Sequence, residues 1–218
     1  MSSQKLIKKS IKALEEHGCL LVYPVNNKRD PQSLWYELFP RTKMVWDWND
    51  EAHNKIADVW HLREELSRSR QVVYSKWYQN RATLFSFETF VNLLAFLAPK
   101  KTPFSAASEE ILGFLQEDSP MSTKQVKAAA GLEGRMMESS YNRAMKPLWQ
   151  SLSIVAFGEF EDSSFPSLGI GATQTLFEDL WVESESVNKE KAERFLKDKL
   201  GEKNPFFKFA QKISVKSH

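Results

Sequence analysis

Residues 122–152 read STKQVKAAAGLEGRMMESSYNRAMKPLWQSL, and this stretch decides the predicted fold. Ser122 and Gln125 have the spacing of a helix-capping box, so a first helix begins here and ends at Gly131, where a left-handed residue fits. A longer helix is predicted from about Glu133. A short helix, a glycine-containing turn and a longer helix together predict a helix-turn-helix.

The second of these helices has one side for packing and one polar side on a helical wheel. The packing side carries Met137, Tyr141, Ala144 and Leu148. The opposite side carries Arg135, Ser139, Asn142, Arg143 and Lys146. Because Pro147 lacks a backbone N–H, we predict that the helix kinks, or ends its first part, near Arg143.

A β-hairpin is predicted to follow this helix pair. Residues 154–160 form its first strand, 161–167 a polar tip, and 173–181 a returning strand or a mixed segment. An amphipathic helix at 108–116 precedes the pair, and two terminal helices at 188–200 and 205–213 follow the hairpin.

The first half of the chain has the same order of elements. Its hairpin spans 72–86 and turns at Gln79-Asn80, because asparagine tolerates the positive φ of tight hairpin turns. Alternation places Val73, Ser75 and Trp77 on one face and Val72, Tyr74, Lys76 and Tyr78 on the other. Around the hairpin we predict helices at 2–17, 33–39, 50–69 and 87–97, a strand at 19–23, and an aromatic edge strand or loop at 44–48.

Three helices followed by a two-stranded wing is the element order of a winged helix, and this order occurs twice. The length of 218 residues, of which 42% are apolar, is compatible with one large domain or two small ones. We predict an α+β protein of tandem winged-helix-like domains, an N-terminal one at 1–103 and a C-terminal one at 104–182, with a helical tail at 183–218. Residues 99–103 are the predicted linker.

The sequence lacks the patterns typical of disulfide, metal, cofactor and membrane sites. The single cysteine, Cys19, excludes an internal disulfide and a cysteine-based zinc finger, and the four histidines lack ligand spacing, so no metal is expected. No phosphate loop or complete dinucleotide loop is found, so no cofactor is expected. Because no leader pattern and no membrane-length apolar stretch is found, we expect no membrane partner and a cytoplasmic protein.

The polar side of the second helix is the best candidate for a binding surface. The net charge of only +2 does not itself demand a nucleic-acid partner. The Arg and Lys side chains on this side can neutralise phosphates, and Asn142 can offer an amide to an adenine edge. The alternative is that this side is an ordinary solvated helix face. Many winged helices do not bind nucleic acid and serve only as protein interaction modules.

The tip of the first hairpin mixes basic and aromatic side chains, namely Lys76, Trp77, Tyr78 and Arg81. That mixture suits phosphate neutralisation combined with stacking on an exposed base. The alternative, equally compatible with the pattern, is that the tryptophan belongs to the core and the basic residues face solvent. The second hairpin instead carries acids at its tip, Glu159, Glu161 and Asp162, which would repel phosphate.

Two stretches resemble a known family. Residues 33–40, SLWYELFP, and 60–78, WHLREELSRSRQVVYSKWY, look like the short bacterial proteins called AlkZ-related. Residues 122–157 are similar to the winged-helix domain of the wider group that includes the AlkZ-type DNA glycosylases. The resemblance, over most of 19–181, implies tandem winged helices and an ancestry in DNA repair.

The glycosylases of that group excise alkylated bases with a glutamine, a hydrophobic residue and a second glutamine in series. This sequence contains no such triplet: Gln71-Val72 is followed by Val73, Gln79 by Asn80, and Gln125-Val126 by Lys127. The glycosylases are also longer and have a third domain. No catalytic residue is therefore carried over to this chain.

The sequence thus favours a bacterial protein that binds double-stranded DNA without catalysis of its own. Two other classes stay open, a divergent glycosylase acting on alkylated bases and a protein-protein interaction module. An interaction module would use an aromatic surface made by Trp35, Tyr36, Phe39, Trp46 and Trp48.

Overall fold

The computed structural model describes residues 3–45, 50–99, 103–162 and 166–216. Its elements in chain order are α1 (Ser3–His17), β1 (Cys19–Leu21), α2 (Leu34–Leu38), α3 (Asp50–Arg68), β2 (Val73–Tyr78), β3 (Arg81–Phe85), α4 (Phe87–Leu97), α5 (Ala106–Glu117), β4 (Met121–Ser122), α6 (Thr123–Ala129), α7 (Glu138–Gln150), β5 (Ile154–Phe160), β6 (Ser167–Ala172), α8 (Thr173–Leu176), α9 (Glu178–Ser186), α10 (Lys189–Leu200) and α11 (Pro205–Lys216). The chain is therefore a mixed helix and strand protein, as predicted.

The described strands form one antiparallel sheet in the order β1-β3-β2-β5-β6-β4. The two predicted hairpins meet in its middle, where Tyr74 of β2 pairs with Ala156 of β5. The sheet therefore runs across the predicted boundary between 1–103 and 104–182. The division into domains, and the winged-helix assignment of each half, stay predictions.

Two hydrophobic cores pack against the hairpin residues of this sheet. Tyr74 and Leu84 belong to a core that helices α1, α3, α5 and α7 help to form. Trp77 and Phe85 belong to a second core, to which α4, α9, α10 and α11 contribute. Each core thus combines residues from both halves of the chain, and the hairpin β2–β3 contributes buried residues to both cores.

The hairpin β2–β3 turns at Gln79 and Asn80, whose φ angles of +52° and +59° agree with the predicted tight turn. A β-bulge follows Ser75, because Ser75 pairs with Thr83 whereas Tyr78 pairs with Arg81. The extra residue puts Tyr78 into the same core as Trp77. The predicted alternation is therefore correct for Val73, Tyr74 and Trp77 and wrong for Tyr78.

The capping box that was predicted to start the helix pair is present. The Ser122 hydroxyl accepts a hydrogen bond from the Gln125 N–H at 3.1 Å, and the Gln125 side chain accepts one from the Ser122 N–H at 2.7 Å. After α6 the chain passes through Gly134, whose φ of +82° and ψ of +159° suit glycine and break the helix. This explains why α7 begins at Glu138, after a 3₁₀ turn at Arg135–Met137, and not near residue 133 as predicted.

Of the two effects predicted for Pro147, a kink or an end of the first part of the helix, the end is not observed. The helix continues through Pro147 to Gln150 and does not end near Arg143. Pro147 lacks the N–H that would bond to the Arg143 carbonyl, but Arg143 is exposed, which lowers the cost of that missing bond.

The second hairpin begins as predicted with β5, but its return strand lies earlier than expected. Strand β6 covers Ser167–Ala172, and the segment 173–181 forms α8 and the first part of α9. The two glycines of β6 explain the difference. A Cβ at Gly169 would collide with the Phe157 carbonyl and one at Gly171 with the Leu176 side chain, so close packing selects glycine, which is uncommon in strands.

Candidate functional site

The polar side of α7 and of the turn before it is open to solvent. All of the polar residues predicted there are exposed, namely Arg135, Ser139, Asn142, Arg143 and Lys146. The three cations among them form no ion pair with any described residue. Tyr141, Ala144 and Leu148 on the opposite side are buried, which confirms the predicted packing side within α7, whereas Met137 in the turn before α7 is only half-buried.

A cavity of about 520 Å³ lies between α7 and the hairpin β2–β3. Its lining residues come from β2, the hairpin turn, α6, α7, β6 and α11: Lys76, Trp77, Gln79, Asn80, Thr123, Glu138, Tyr141, Asn142, Met145, Lys146, Trp149, Gln150, Ile170 and Phe209. The cavity thus brings together four of the predicted binding residues, Lys76, Trp77, Asn142 and Lys146. It does not include Tyr78, Arg81, Arg135, Ser139 or Arg143.

The spacing along α7 accounts for its share of this lining. Glu138, Asn142, Met145 and Trp149 follow one another at intervals of three or four residues, which is the repeat of one helix face. Sequence reasoning named Asn142 and Lys146 but missed Trp149 and its neighbours on this face. The same spacing was the available signal for them.

Lys76 is a half-buried cation in the wall of the cavity. Burial, and then the positive charge of nearby Arg63, lower the pKa of the Lys76 ammonium. Lys76 forms no ion pair with a carboxylate in the described part of the chain. No described carboxylate therefore compensates the charge of Lys76.

Tyr141 lines the cavity beside an ion pair. The Lys127 ammonium lies 2.5 Å from a Glu138 carboxylate oxygen and 4.8 Å from the centroid of the Tyr141 ring. The hydrogen bond from Lys127 lowers the pKa of the Glu138 carboxyl, and the Asn142 amide donates a weaker bond of 3.4 Å to it. Glu138, the only acid among the described lining residues, is thus already paired.

The Tyr141 hydroxyl is buried without a hydrogen bond of normal geometry to any described residue. Burial raises the pKa of this hydroxyl, and the neighbouring Thr123 side chain offsets only part of the rise. Tyr141 is therefore neutral, and Thr123 is the polar side chain beside its otherwise unbonded hydroxyl.

The aromatic residues of the hairpin are not available for stacking as they stand. Trp77 is 0% and Tyr78 is 7% exposed, and both rings contact Phe206 and Phe209 of α11. The Trp77 indole N–H also donates to the Gln150 carbonyl at 3.2 Å. The expectation of exposed rings is wrong, and the alternative that Trp77 belongs to the core agrees with the structure. Arg81 is exposed.

Glu159 does not lie free at an acidic tip. Its carboxylate pairs with Arg63 of α3, whose side chain is only 5% exposed. The Arg63 guanidinium also lies 3.9 Å from the centroid of the Trp60 ring and donates to the Tyr74 hydroxyl at 3.3 Å. Glu161 and Asp162 are exposed as expected. Sequence reasoning missed Arg63, because nothing in an amphipathic helix marks an arginine that is buried by a distant strand.

The predicted aromatic surface is only partly open. Trp35 is 1% exposed, and its indole N–H donates to the Thr42 carbonyl at 2.8 Å, so the prediction that it contacts a partner is wrong. Tyr36 and Phe39 are half-buried. Trp46 and Trp48 lie outside the described residues.

A comparison with protein families gives a match to the family model described as AlkZ related, over residues 6–213. The chain belongs to the AlkZ-related family. Membership of this family points to a DNA-repair-associated role. No curated protein and no solved structure matches the chain.

Sites of two other kinds are not found in the described part of the AlkZ-related chain. Within the described ranges, no three His, Cys, Asp or Glu side chains converge as metal ligands would. None of the helices in those ranges has both the length and the apolar character needed to span a bilayer.

Proposed function

We propose that this AlkZ-related protein binds double-stranded DNA through the exposed polar side of α7, without catalysis of its own. The observation that carries the proposal is a set of exposed cations that pair with no described carboxylate, Arg135 in the turn before α7 and Arg143 and Lys146 on α7 itself. Helix α7 follows a capped short helix and that turn. The second helix of such a pair is the one that enters the major groove in helix-turn-helix proteins.

The side chains on this surface suit the two parts of duplex recognition. Arginine and lysine neutralise phosphates and release counterions, which provides most of the sequence-independent affinity. Asn142 can donate and accept at an adenine edge, and it would give up only a weak 3.4 Å bond to Glu138 in doing so. The exposed acids Glu161 and Asp162 favour an approach from α7 and not from the second hairpin.

The test removes the three cations together. In the variant Arg135→Ala/Arg143→Ala/Lys146→Ala we expect weaker binding of a fluorescent duplex, measured by anisotropy over a series of salt concentrations. If each cation contacts one phosphate, the slope of log K against log salt becomes shallower by about 2.7. The matched control is Lys5→Ala/Lys8→Ala/Lys9→Ala, which removes the same charge from exposed positions of α1.

Binding that does not depend on salt, or an equal loss in the α1 control, would contradict the proposed surface. The absence of catalysis is tested separately on a duplex with alkylated bases. We expect no alkali-labile sites at stoichiometric protein, because the glutamine triplet of the related glycosylases is missing from the sequence. Strand breaks after alkali would instead identify the chain as a glycosylase.

A further inference from the structure

The cavity between α7 and the hairpin has the composition of a ligand site. Its volume of about 520 Å³ lies within the roughly 300–1,000 Å³ typical of sites for small molecules. Its buried wall is aromatic and apolar, formed by Trp77, Tyr141, Met145, Trp149 and Ile170. Polar side chains surround that wall, which is the usual arrangement of a site that binds an amphipathic ring.

The charge of the cavity favours an anion. Lys76 is half-buried with no ion-pair partner in the described chain, and the nearby Arg63 already pairs with Glu159. Arg63 therefore adds little net charge, whereas no described carboxylate neutralises Lys76. Such a cation lowers the stability of the folded state unless an anion approaches it. Lys146 contributes a second, exposed ammonium to the same cavity.

The neutral polar groups favour a heterocyclic ring over a simple anion. The lining carries primary amides from the hairpin turn and α7, at Gln79, Asn80, Asn142 and Gln150. Each amide has both donors and an acceptor, which match the mixed edge of a nucleobase. The single acid, Glu138, is held by Lys127 and therefore repels an incoming anion less than a free carboxylate would.

We propose that this cavity binds one nucleotide unit, a heteroaromatic ring that carries a phosphate, with Lys76 and Lys146 at the phosphate and the amides at the ring. This goes beyond the proposed duplex binding, because Arg135 and Arg143 do not line the cavity. The unit has two possible sources, a free nucleoside monophosphate or a nucleotide of a single strand.

Calorimetric titration of the full chain tests the proposal. The probes are adenosine 5′-monophosphate, thymidine 5′-monophosphate, adenosine, inorganic phosphate and a short single-stranded oligonucleotide. We expect the monophosphates to bind more tightly than adenosine or phosphate alone. In Lys76→Met their affinity falls about 10- to 100-fold, the usual effect of losing a charge-assisted hydrogen bond. Lys191→Met, an exposed position of α10, is the matched control and leaves the affinity unchanged.

Thermal unfolding of the same variants shows whether weaker binding comes from a lost contact with the nucleotide or from a destabilised fold. Lys76→Met removes a half-buried unpaired charge and keeps the side-chain length, so we expect it to unfold at a higher temperature than the parent while binding less nucleotide. Lys191→Met should leave both readouts unchanged.

The outcomes distinguish the two sources and the two proposals. Oligonucleotide binding that is lost in Lys76→Met, without saturation by monophosphates below about 1 mM, supports the strand as the source. Absence of binding for every nucleotide probe, or equal affinity in Lys76→Met, overturns the proposal. Arg135→Ala/Arg143→Ala should weaken duplex binding but leave monophosphate binding intact. A loss of duplex binding alone therefore does not contradict the proposed nucleotide site in the cavity.

Discussion

At the scale of single residues, Lys76 and Tyr141 have polar groups to which no described residue gives an ion pair or a hydrogen bond of normal geometry. Both line the cavity beside α7, one with an unpaired ammonium and the other with an unbonded hydroxyl. Burying a hydroxyl without a hydrogen bond destabilises the folded state by more than a typical hydrogen bond stabilises it. These residues therefore reduce the stability of the molecule at its candidate site.

Replacing Tyr141 tests this cost directly. We expect Tyr141→Phe to raise the free energy of unfolding by about 1 kcal/mol, because it removes a buried group without a partner and keeps the ring below Lys127. Urea unfolding measures the change. The matched control is Tyr36→Phe, whose hydroxyl donates to the Asn27 carbonyl at 2.8 Å and whose loss should cost about 1 kcal/mol. Destabilisation by Tyr141→Phe would mean that its hydroxyl has a partner.

At the scale of elements, the cap of α6 fixes where the helix pair begins. Ser122 is buried, and its hydroxyl satisfies the N–H of Gln125 in the first turn. We expect Ser122→Ala to lower the free energy of unfolding by about 1 kcal/mol, the usual effect of losing an N-cap. Urea unfolding again gives the value. Ser139→Ala, at an exposed position of α7, should change it little, and equal stability of the two variants would contradict the role of the cap.

Elements with strong local signals could be predicted from the sequence. Helix α4 and strand β5 have the predicted bounds, and Asn80 in the hairpin turn has the predicted positive φ angle. Strand β6 could not be predicted as well, because its glycines are selected by close contacts with Phe157 and Leu176 and hide the strand pattern. The local preference of each residue for helix or strand does not reveal contacts between residues that are distant in sequence.

The same reason limits prediction of the candidate site. The exposure of Arg143 and Lys146 followed from helical periodicity alone. The burial of Trp77 depends on α11, which returns from the end of the chain to cover the hairpin with Phe206 and Phe209. Likewise, the cavity exists only because the hairpin and α7, far apart in sequence, face each other.

At the scale of the whole molecule, the two halves share one sheet and both cores. The pairing of Tyr74 with Ala156 joins their hairpins, and the buried ion pair between Arg63 and Glu159 links α3 to β5. The hydroxyl of Ser67 adds another link by accepting the Gly158 N–H at 2.9 Å. Contacts of this kind couple the unfolding of the halves, although each half has its own order of helices and strands.

Breaking the buried pair tests this coupling. We expect Glu159→Gln to lower the free energy of unfolding by about 3 kcal/mol, because the Arg63 guanidinium, 5% exposed, loses the charge that compensates it. Arg63→Met/Glu159→Leu should recover much of that loss, since it removes both charges together. Tryptophan fluorescence and far-ultraviolet circular dichroism, followed through one urea titration, should give a single coincident transition for the parent chain. Glu161→Gln, an exposed neighbour on the second hairpin, is the matched control and should unfold like the parent. Two separate transitions in the parent would show that the halves unfold independently despite their shared sheet.

Equal stability of Glu159→Gln and Glu161→Gln would show that the ion pair between Arg63 and Glu159 does not hold the halves together.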